Sequence, residues 1–586
     1  MATVTEYSKP GVYLQSRRLE TNKISLSSKT VPGFLGIACK GPMDKAVLIT
    51  DFNQYLRIFG GFNGPGYLAY SVYCFFNCGG NACYVVRTAH KGEDGACKSQ
   101  LDLTSVIGKA SLSLKSSSEG VWGNKIHIRL WHVPEKTIPY SVSEIDDEFI
   151  DLLLEDDVRK GDILRILYKD GTVDFTSVAN PAKQSGKVEY RVLRNKYDDC
   201  VIQAMRFNIS INDGIQREEY LYLSSHPDDE RYYKSVLEKS VILEIDDKSV
   251  GQHKPWFPQE KNESYFAGGK DGVLNLKPGD FIGYFKGLND NKGLGIFESI
   301  PQVNVLCAPD VKLFEQVYRS EPETIATAAH AIFTAMIDQS ERMGNRFSII
   351  EAPDTDDLMQ VLRFAGKYDS ANASLYYPPV EIIDPQVADA SRTVYVPACG
   401  IVAGIIAGCD KNEGVYRAPA GKIVNGAVGL KYEVDDRTFE TLYAAKINGY
   451  KRIPGRGIKL WGARTLSSDP EWRYINVRRT FSQISQAIKE GLGWAVFEPN
   501  NFGLRKRIVR HVTAFLIDLW RKGYLAGKTP EEAFYVICND ELNPPENIDA
   551  GIITTCIGLA ITKPAEYISI TLNAVKDDAN VIIEEV

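Results

Sequence analysis

Segments with strand-like and helix-like patterns alternate along most of the chain, and this alternation restricts the possible folds more than any other feature. Phe34 to Cys39 and Ala46 to Ile49 are predicted strands, and Asp51 is placed to cap a helix from Phe52 to Phe59. Alternation of this kind is typical of a layered α/β domain. The further predicted segments are Tyr67 to Phe76, Ala82 to Arg87, Val303 to Cys307, Pro322 to Ser340, Phe347 to Ala352, Leu358 to Phe364, Val477 to Leu492 and Gly503 to Tyr524.

A stretch from about Ile126 to Phe266 interrupts this alternation. It is rich in strand-like runs such as Asp162 to Tyr168 and Val188 to Leu193, and it carries an acidic cluster from Glu144 to Asp157. The sequence therefore predicts an α/β (α+β) protein in which a discontinuous core domain is made from N-terminal and C-terminal parts. A mostly β insertion domain with an exposed surface separates the two parts.

Both ends of the chain carry short strand candidates that have no local partner. They lie at Gly11 to Gln15 and Lys23 to Leu26 near the start, and at Val581 to Ile583 near the end. Because an isolated strand leaves its backbone groups unpaired, such a segment must join another sheet or stay loose. The sequence alone leaves both alternatives open.

The charge balance argues against a protein that binds nucleic acid, and the hydropathy argues against a protein that spans a membrane. The chain has 586 residues with 75 acidic and 68 basic side chains, so no global positive field attracts nucleic acid. The longest apolar run, Ala398 to Gly408, is well below the roughly 18 residues of a membrane span. Met1 to Pro10 is polar and lacks the apolar core of a signal peptide. We therefore expect cytoplasmic assembly, no direct contact with nucleic acid and no stable membrane insertion.

No constellation of catalytic residues is evident. The chain has no nucleophile elbow and no His-Glu-x-x-His pair, and in Gly414 to Lys422 the glycine spacing does not match a phosphate-binding loop. The spacing of Cys74, Cys78 and Cys83 differs from that of structural zinc sites, which favours buried free thiols. We therefore expect a protein that is not an enzyme, with no catalytic, cofactor-binding or metal-binding residues.

The predicted helix from Gly503 to Tyr524 has two contrasting faces. One face is an apolar stripe that we expect to be buried, and it is formed by Leu504, Ile508, Val512, Phe515 and Leu519. The opposite face is a basic ridge formed by Lys506, Arg507, Arg510 and Arg521. A basic ridge is either a solvated face or a contact surface for an acidic partner, and Ile517 within it favours the contact surface.

A series of short motifs occurs in a fixed order along the chain. They include Tyr7-Ser8-Lys9-Pro10-Gly11-Val12-Tyr13, Val31-Pro32-Gly33-Phe34-Leu35-Gly36, Trp461-Gly462-Ala463-Arg464-Thr465, Phe497-Glu498-Pro499-Asn500 and Asn543-Pro544-Pro545-Glu546-Asn547. In this order they resemble the contractile tail sheath family of phages and phage-like injection machines. The resemblance covers roughly residues 7 to 125 and 266 to 570 and does not extend to the insertion.

The resemblance implies a structural protomer that forms stacked hexameric rings around an inner tube and contracts to drive the tube through a target envelope. Its partners would be further copies of itself, an inner tube protein, and baseplate and terminal cap proteins. Cytoplasmic assembly in a bacterial cell would precede its incorporation into a phage tail or injection particle. No cofactor is required, because the energy of contraction would come from better contacts between subunits.

The resemblance also assigns roles to the chain ends and the basic ridge. Each subunit would lend strands to neighbouring subunits through an N-terminal and a C-terminal arm. The ridge of Lys506, Arg507, Arg510 and Arg521 would face the tube. The arm residues expected in these contacts are Val12, Leu14, Ile24, Leu26, Val581, Ile582 and Ile583.

The predicted domain organisation follows from these assignments. The expected units are the N-terminal arm at 1–30, the first part of the core at 31–125, the outward-facing insertion at 126–265, an α/β sheath domain at 266–450, the tube-facing C-terminal core at 451–575 and the C-terminal arm at 576–586. Two rival hypotheses remain open. One is a multi-domain α/β enzyme with an unrecognised site, and the other is a surface binding protein that does not contract.

Overall fold

The structure is a computed structural model. It describes residues 24–26, 29–92, 95–107, 111–145, 149–155, 158–159, 161–178, 188–193, 200–246, 256–287, 290–317, 322–387 and 392–566.

The first part of the chain forms three strands of an eight-stranded central sheet and two helices. They are β1 (Pro32–Gly36), β2 (Ala46–Ile49), α1 (Phe52–Phe59), α2 (Leu68–Asn77) and β3 (Cys83–Arg87).

Local sequence accounts for the first of these helices. The Asp51 side chain accepts a hydrogen bond from the backbone N–H of Gln54 at 2.8 Å, which satisfies a donor that the helix itself cannot pair. Gly60, at φ +83°, ends the helix because the left-handed region costs glycine little. The predicted bounds of α1 are those of the structure.

Next comes a region of mostly β structure. Its elements are β4 (Gln100–Thr104), β5 (Ser111–Ser116), β6 (His127–Thr137), β7 (Tyr140–Ile145), β8 (Phe149–Leu154), β9 (Ile163–Leu167), β10 (Val173–Ser177), β11 (Val188–Leu193), β12 (Val201–Asn212), β13 (Arg217–Leu223), α3 (Tyr233–Leu237), β14 (Leu243–Asp246) and β15 (Lys261–Tyr265). The main sheet has the order β10-β9-β12-β6-β15, with β13 also paired to β12, and two smaller sheets have the orders β11-β8-β7 and β14-β5-β4.

This region has an apolar core of its own. Ile128 of β6, Phe207 of β12 and Trp256 are buried together, as are Leu103 and Leu112 from β4 and β5. Strands β4 and β5 therefore pack with the insertion although they precede residue 126.

The α/β alternation then resumes and completes the central sheet. The elements are α4 (Pro278–Ile282), β16 (Tyr284–Phe285), β17 (Asn291–Lys292), α5 (Gly295–Glu298), β18 (Val305–Cys307), α6 (Leu313–Val317), α7 (Pro322–Met343), β19 (Phe347–Glu351), α8 (Leu358–Ala365), β20 (Ala373–Tyr376), β21 (Val380–Ile383), β22 (Thr393–Val396), α9 (Ala398–Asn412), β23 (Ala427–Leu430), α10 (Asp436–Ala444), β24 (Ile447–Ile453) and β25 (Gly457–Trp461).

The central sheet draws its strands from both sides of the insertion. Its order is β2-β3-β1-β18-β19-β20-β24-β25, and all neighbouring pairs from β3 to β24 are parallel. Apolar clusters cover the sheet, and the apolar run Ala398 to Gly408 forms most of the buried helix α9. The prediction of a discontinuous α/β core with a mostly β insertion is confirmed.

The last described part of the chain is a helical unit with a small sheet. Its elements are α11 (Ile475–Gly491), α12 (Phe502–Arg521), α13 (Pro530–Ala533), β26 (Phe534–Ile537), α14 (Pro545–Asp549) and β27 (Cys556–Leu559). Helices α11 and α12 share one apolar cluster with this sheet. The predicted bounds of both helices differ from the structure by one to three residues at each end.

Candidate functional site

Helix α12 has the two faces that its sequence predicts. Asn501 caps it by accepting a hydrogen bond from the backbone N–H of Leu504 at 2.9 Å. All five residues of the apolar stripe are buried, where they pack with Val477 and Ile484 of α11. This packing fixes the orientation of the helix, so the opposite face is turned outward.

The four residues of the basic ridge are all exposed, but they do not form one group. Arg507 pairs with Glu498 at 2.7 Å, and the Lys506 ammonium lies 4.4 Å from the centre of the Phe502 ring. Arg510 makes no ion pair with any residue that the structure describes. Arg521 ends the helix about 16 Å further along its axis, at 1.5 Å per residue.

A groove of about 850 Å³ runs beside the first three residues of the ridge. Its lining includes Val509 and Ile517 from the helix and Cys538 to Asp540 from the segment after β26. Arg505, which the sequence analysis did not single out, is buried at one wall and pairs with Asp540 at 2.7 Å. The groove therefore joins a cationic side to apolar surface, which suits a partner with acidic and apolar groups.

A loop before α12 presents apolar side chains to solvent. Phe497 is fully exposed and has φ +68°, a backbone region that bulky residues seldom adopt. Val496 in the same loop and Phe502, the first residue of α12, are also exposed. Exposed apolar groups beside a cationic groove extend the candidate contact surface beyond the basic ridge.

The sheet of β26 and β27 has only two strands. These strands pair antiparallel, with Phe534 opposite Leu559, and among the described residues only a bridge between Leu525 and Ile561 extends the pairing. Tyr535 and Ile537 are exposed on β26. A two-stranded sheet is marginal alone and leaves strand edges on which further strands can pair.

The structure describes two of the seven predicted arm residues. Ile24 is buried within its own chain, in the cluster of α11 and α12, and a Cβ atom placed on Gly491 would lie 2.6 Å from its Cγ1 atom. Leu26 is half-buried against the same cluster. The other five, Val12, Leu14, Val581, Ile582 and Ile583, lie outside the described residues.

A separate cavity of about 450 Å³ bears on the enzyme hypothesis. It lies at the carboxyl ends of β18 and β19, and its lining includes Lys312, Glu315, Glu351 and Asp354. Burial raises the pKa of both glutamates. Its described lining holds no histidine, cysteine or serine.

The cysteines and the membrane question give two further findings. Cys74, Cys78 and Cys83 are buried, and burial raises the pKa of each thiol. Among the described residues no group of histidine, cysteine, aspartate and glutamate is arranged to hold a metal ion. Within the same residues, no helix combines the length and apolar character needed to cross a membrane.

Comparisons with known proteins agree with this architecture. Residues 303–466 match the phage tail sheath protein central domain, and residues 467–574 match the phage tail sheath C-terminal domain. A putative prophage major tail sheath protein of Pseudomonas aeruginosa (strain UCBPP-PA14) is 28% identical over 42% of this chain and 64% of its own length. The tail sheath protein of Vibrio phage KVP40 is 26% identical over 32% of this chain and 28% of its own length. The matched regions thus span less than two thirds of these relatives.

Solved structures of contractile particles share the fold. A chain of the anti-feeding prophage baseplate superimposes with a TM-score of 0.51 at 16% identity, covering 97% of this chain and 100% of that one. A chain of the contracted sheath complex of the extracellular contractile injection system PVC gives a TM-score of 0.50 at 19% identity, covering 97% and 98%. The shared fold is that of contractile sheath proteins. Residues 303–574, a little under half of this chain, match two domains of the phage tail sheath family.

Proposed function

We propose that this protein is the protomer of a contractile sheath that polymerises as stacked hexameric rings around an inner tube and drives the tube through a target envelope. The observation that carries the proposal is the match to both sheath domains in consecutive order, at 303–466 and 467–574. The fold shared over 97% of the chain with a contracted sheath subunit supports it.

The tube contact is assigned to the surface around α12. Lys506, Arg507 and Arg510 are exposed beside a groove with apolar walls, so the surface offers both charge and apolar area to an acidic partner. Arg510 is the strongest candidate because no described residue neutralises it. Arg521 contacts a different part of the tube, since it lies about 16 Å further along the helix.

Links between subunits are assigned to the chain ends and the sheet of β26 and β27. The edges of this two-stranded sheet accept strands from the arms of neighbouring copies, through backbone hydrogen bonds. Because Ile24 is buried in its own subunit, the lent part of the N-terminal arm is N-terminal to Ile24. The lent C-terminal arm comprises residues 576–586.

The remaining parts take the roles that such an assembly requires. Residues 126–265 project outward, 266–450 form the sheath domain, and 451–575 form the inner core that faces the tube. Contraction repacks subunits that stay linked by their arms, and better contacts between subunits supply the energy. The subunits assemble in the bacterial cytoplasm before they join a phage tail or injection particle with its baseplate and cap.

Reconstitution with the tube protein of the same particle tests the proposal. The full chain should form sheathed tubes when both proteins are present, seen as an outer layer of stacked rings by electron microscopy. The enzyme hypothesis predicts instead a low-order oligomer that binds a stoichiometric small ligand. Bare tubes beside a soluble chain would reject the proposed function.

A further inference from the structure

The strand order of the central sheet defines a special position in the fold. From β1 the chain continues to β3 on one side, and from β18 it continues through β19, β20 and β24 on the other side. The order therefore reverses between the adjacent parallel strands β1 and β18. In doubly wound α/β sheets, ligands bind in the crevice outside the carboxyl ends of the strands at this reversal.

In this protein a carboxylate of the chain itself lies in that crevice. Asp310 follows β18 by three residues and is completely buried. Its Oδ2 atom accepts a hydrogen bond from the backbone N–H of Ile37 at 2.6 Å, and its Oδ1 atom accepts one from the backbone N–H of Tyr67. Ile37 directly follows β1, and Tyr67 directly precedes α2.

Two glycines from other parts of the chain, Gly36 and Gly66, lie against the carboxylate of Asp310. A Cβ atom placed on Gly66 would lie 2.7 and 2.8 Å from the two carboxylate oxygens of Asp310, and no other residue lies among its three nearest contacts. A Cβ atom on Gly36 would overlap Oδ2 of Asp310. Since Gly66 is not in the left-handed region of φ, the carboxylate is the reason that a side chain does not fit there.

Backbone donors, rather than a cation, hold Asp310. Among the described residues no lysine, arginine or histidine forms an ion pair with it. Burial raises the pKa of Asp310 to about 7, while the N–H groups of Ile37, Tyr67 and Leu68 act in the opposite direction. Above this pH the group is an anion at the start of a ten-residue helix, where the helix dipole favours negative charge.

We propose that the crevice between β1 and β18 is an anion-binding site that the chain fills with its own Asp310, and that removal of this carboxylate opens the site to a small oxyanion such as formate. The backbone donors, the helix terminus and the two glycines are the features of a site that holds a ligand carboxylate or phosphate. Here the ligand is covalently part of the protein. Because Asp310 lies in the second part of the core and its donors lie in the first, the same contact joins the two parts of the split domain.

Chemical rescue tests this proposal in the full chain. At pH 8, where Asp310 is ionised, Asp310→Ala should lower the melting temperature, and sodium formate should restore part of the loss with a saturable dependence on concentration. Sodium chloride at equal ionic strength should not restore it. Phosphate tested in the same way shows whether the opened site admits a larger oxyanion.

Asp435→Ala is the matched control. Asp435 also accepts a backbone N–H at a helix start, from Thr438 at 2.7 Å, but it is exposed and no crevice encloses it. Formate and chloride should affect this variant equally. Equal responses of the two variants to formate, or no advantage of formate over chloride in Asp310→Ala, would overturn the proposal.

Two further measurements cover the case in which Asp310→Ala accumulates as insoluble protein. Refolding in formate should then recover more soluble variant than refolding in chloride, and equal recovery would overturn the proposal. Gly66→Ala should destabilise the parent because its methyl group meets the carboxylate. Gly66→Ala should lower the melting temperature less in the Asp310→Ala background than in the parent. Equal losses in both backgrounds would contradict a direct contact between position 66 and the Asp310 carboxylate.

Discussion

Arg479 of α11 and Asp410 of α9 form an ion pair in the interior of the molecule, where their side chains are only 5% and 1% exposed. The Nη1 atom of Arg479 donates to Oδ1 of Asp410 at 3.0 Å, and Nη2 donates to Oδ2. The Thr30 hydroxyl donates to the same carboxylate and accepts from Nη2 at 2.9 Å. Thr30 is thus held where α9 and α11 meet. Since Ile24 is also buried in its own chain, we expect any movement of the proposed N-terminal arm to take place N-terminal to Ile24.

Breaking this pair should destabilise the subunit. Arg479→Ala leaves a buried carboxylate without its cation, which costs about 3–5 kcal/mol of unfolding free energy. Lys522→Ala is the control, because Lys522 and Asp518 form an exposed pair and exposed pairs contribute about 0–1 kcal/mol. Denaturant titration of both variants measures the difference. Similar losses in the two variants would contradict a structural role for the buried pair.

Two truncations separate the lent arm from the part that belongs to the core. Removal of residues 1–22 should abolish polymers and leave the melting temperature unchanged, because Ile24 stays in place. Removal of residues 1–26 should also lower the melting temperature, since a buried isoleucine side chain is lost and such losses cost about 2–5 kcal/mol. Electron microscopy and thermal unfolding report the two effects separately. Polymers that persist without residues 1–22 would refute strand lending by this arm.

Charge reversal should weaken tube binding without affecting the fold. Arg510→Glu and Lys506→Glu place negative charge on the surface assigned to the tube, whereas Lys489→Glu changes an exposed lysine on the neighbouring helix α11. We expect loss of co-sedimentation with tubes for the first two variants only, together with unchanged melting temperatures. The binding of the parent should also fall as salt rises. Equal binding by Arg510→Glu and Lys489→Glu would remove α12 from the tube contact.

Asp310 should make the stability of the protein depend on pH. Its pKa is raised by burial from 3.8 to about 7, so between these values the folded chain holds a proton that the unfolded chain has released. The stability from this group is therefore fully present below pH 3.8 and is lost as pH rises to about 7, by up to about 1.4 kcal/mol per pH unit. The measurement is the difference in unfolding free energy between the parent and Asp310→Asn across this range.

The control for this pH dependence has the opposite sign. Hydrogen bonding by Thr438 lowers the pKa of the exposed Asp435 carboxyl, so the stability from that group is present at neutral pH and lost in acid. The difference between the parent and Asp435→Asn should therefore rise with pH. A difference for Asp310→Asn that stays flat or rises between pH 4 and 7 would contradict the burial argument.

Local structure was largely predictable because its signals are local. The cap at Asp51 and the buried stripe of α12 follow from residues three or four positions apart, and the predicted bounds are close to those observed. The break in the α/β alternation likewise located the insertion, although β4 and β5 join its core from outside the predicted range. β4 and β5 join this core through long-range packing, which a local sequence pattern does not show.

Long-range contacts could not be predicted from local sequence patterns. Asp310 meets Ile37 and Tyr67 across more than two hundred residues of sequence, and nothing near Asp310 indicates which strand end it will face. Gly66 is the residue nearby that hints at a close contact, because a side chain would not fit there. The sequence alone does not show that the contact is the carboxylate of Asp310. The separation of Arg521 from Arg510 was predictable from helix geometry, whereas the pairing of Arg507 with Glu498 required the fold of the preceding loop.

Electron microscopy of the purified full chain, alone and with its tube protein, tests the sheath assignment most directly. We expect stacked rings or tubes that require residues 1–22 and the C-terminal arm, and that surround the inner tube when it is present. A chain that stays monomeric at high concentration, with no rings in either condition, would contradict it.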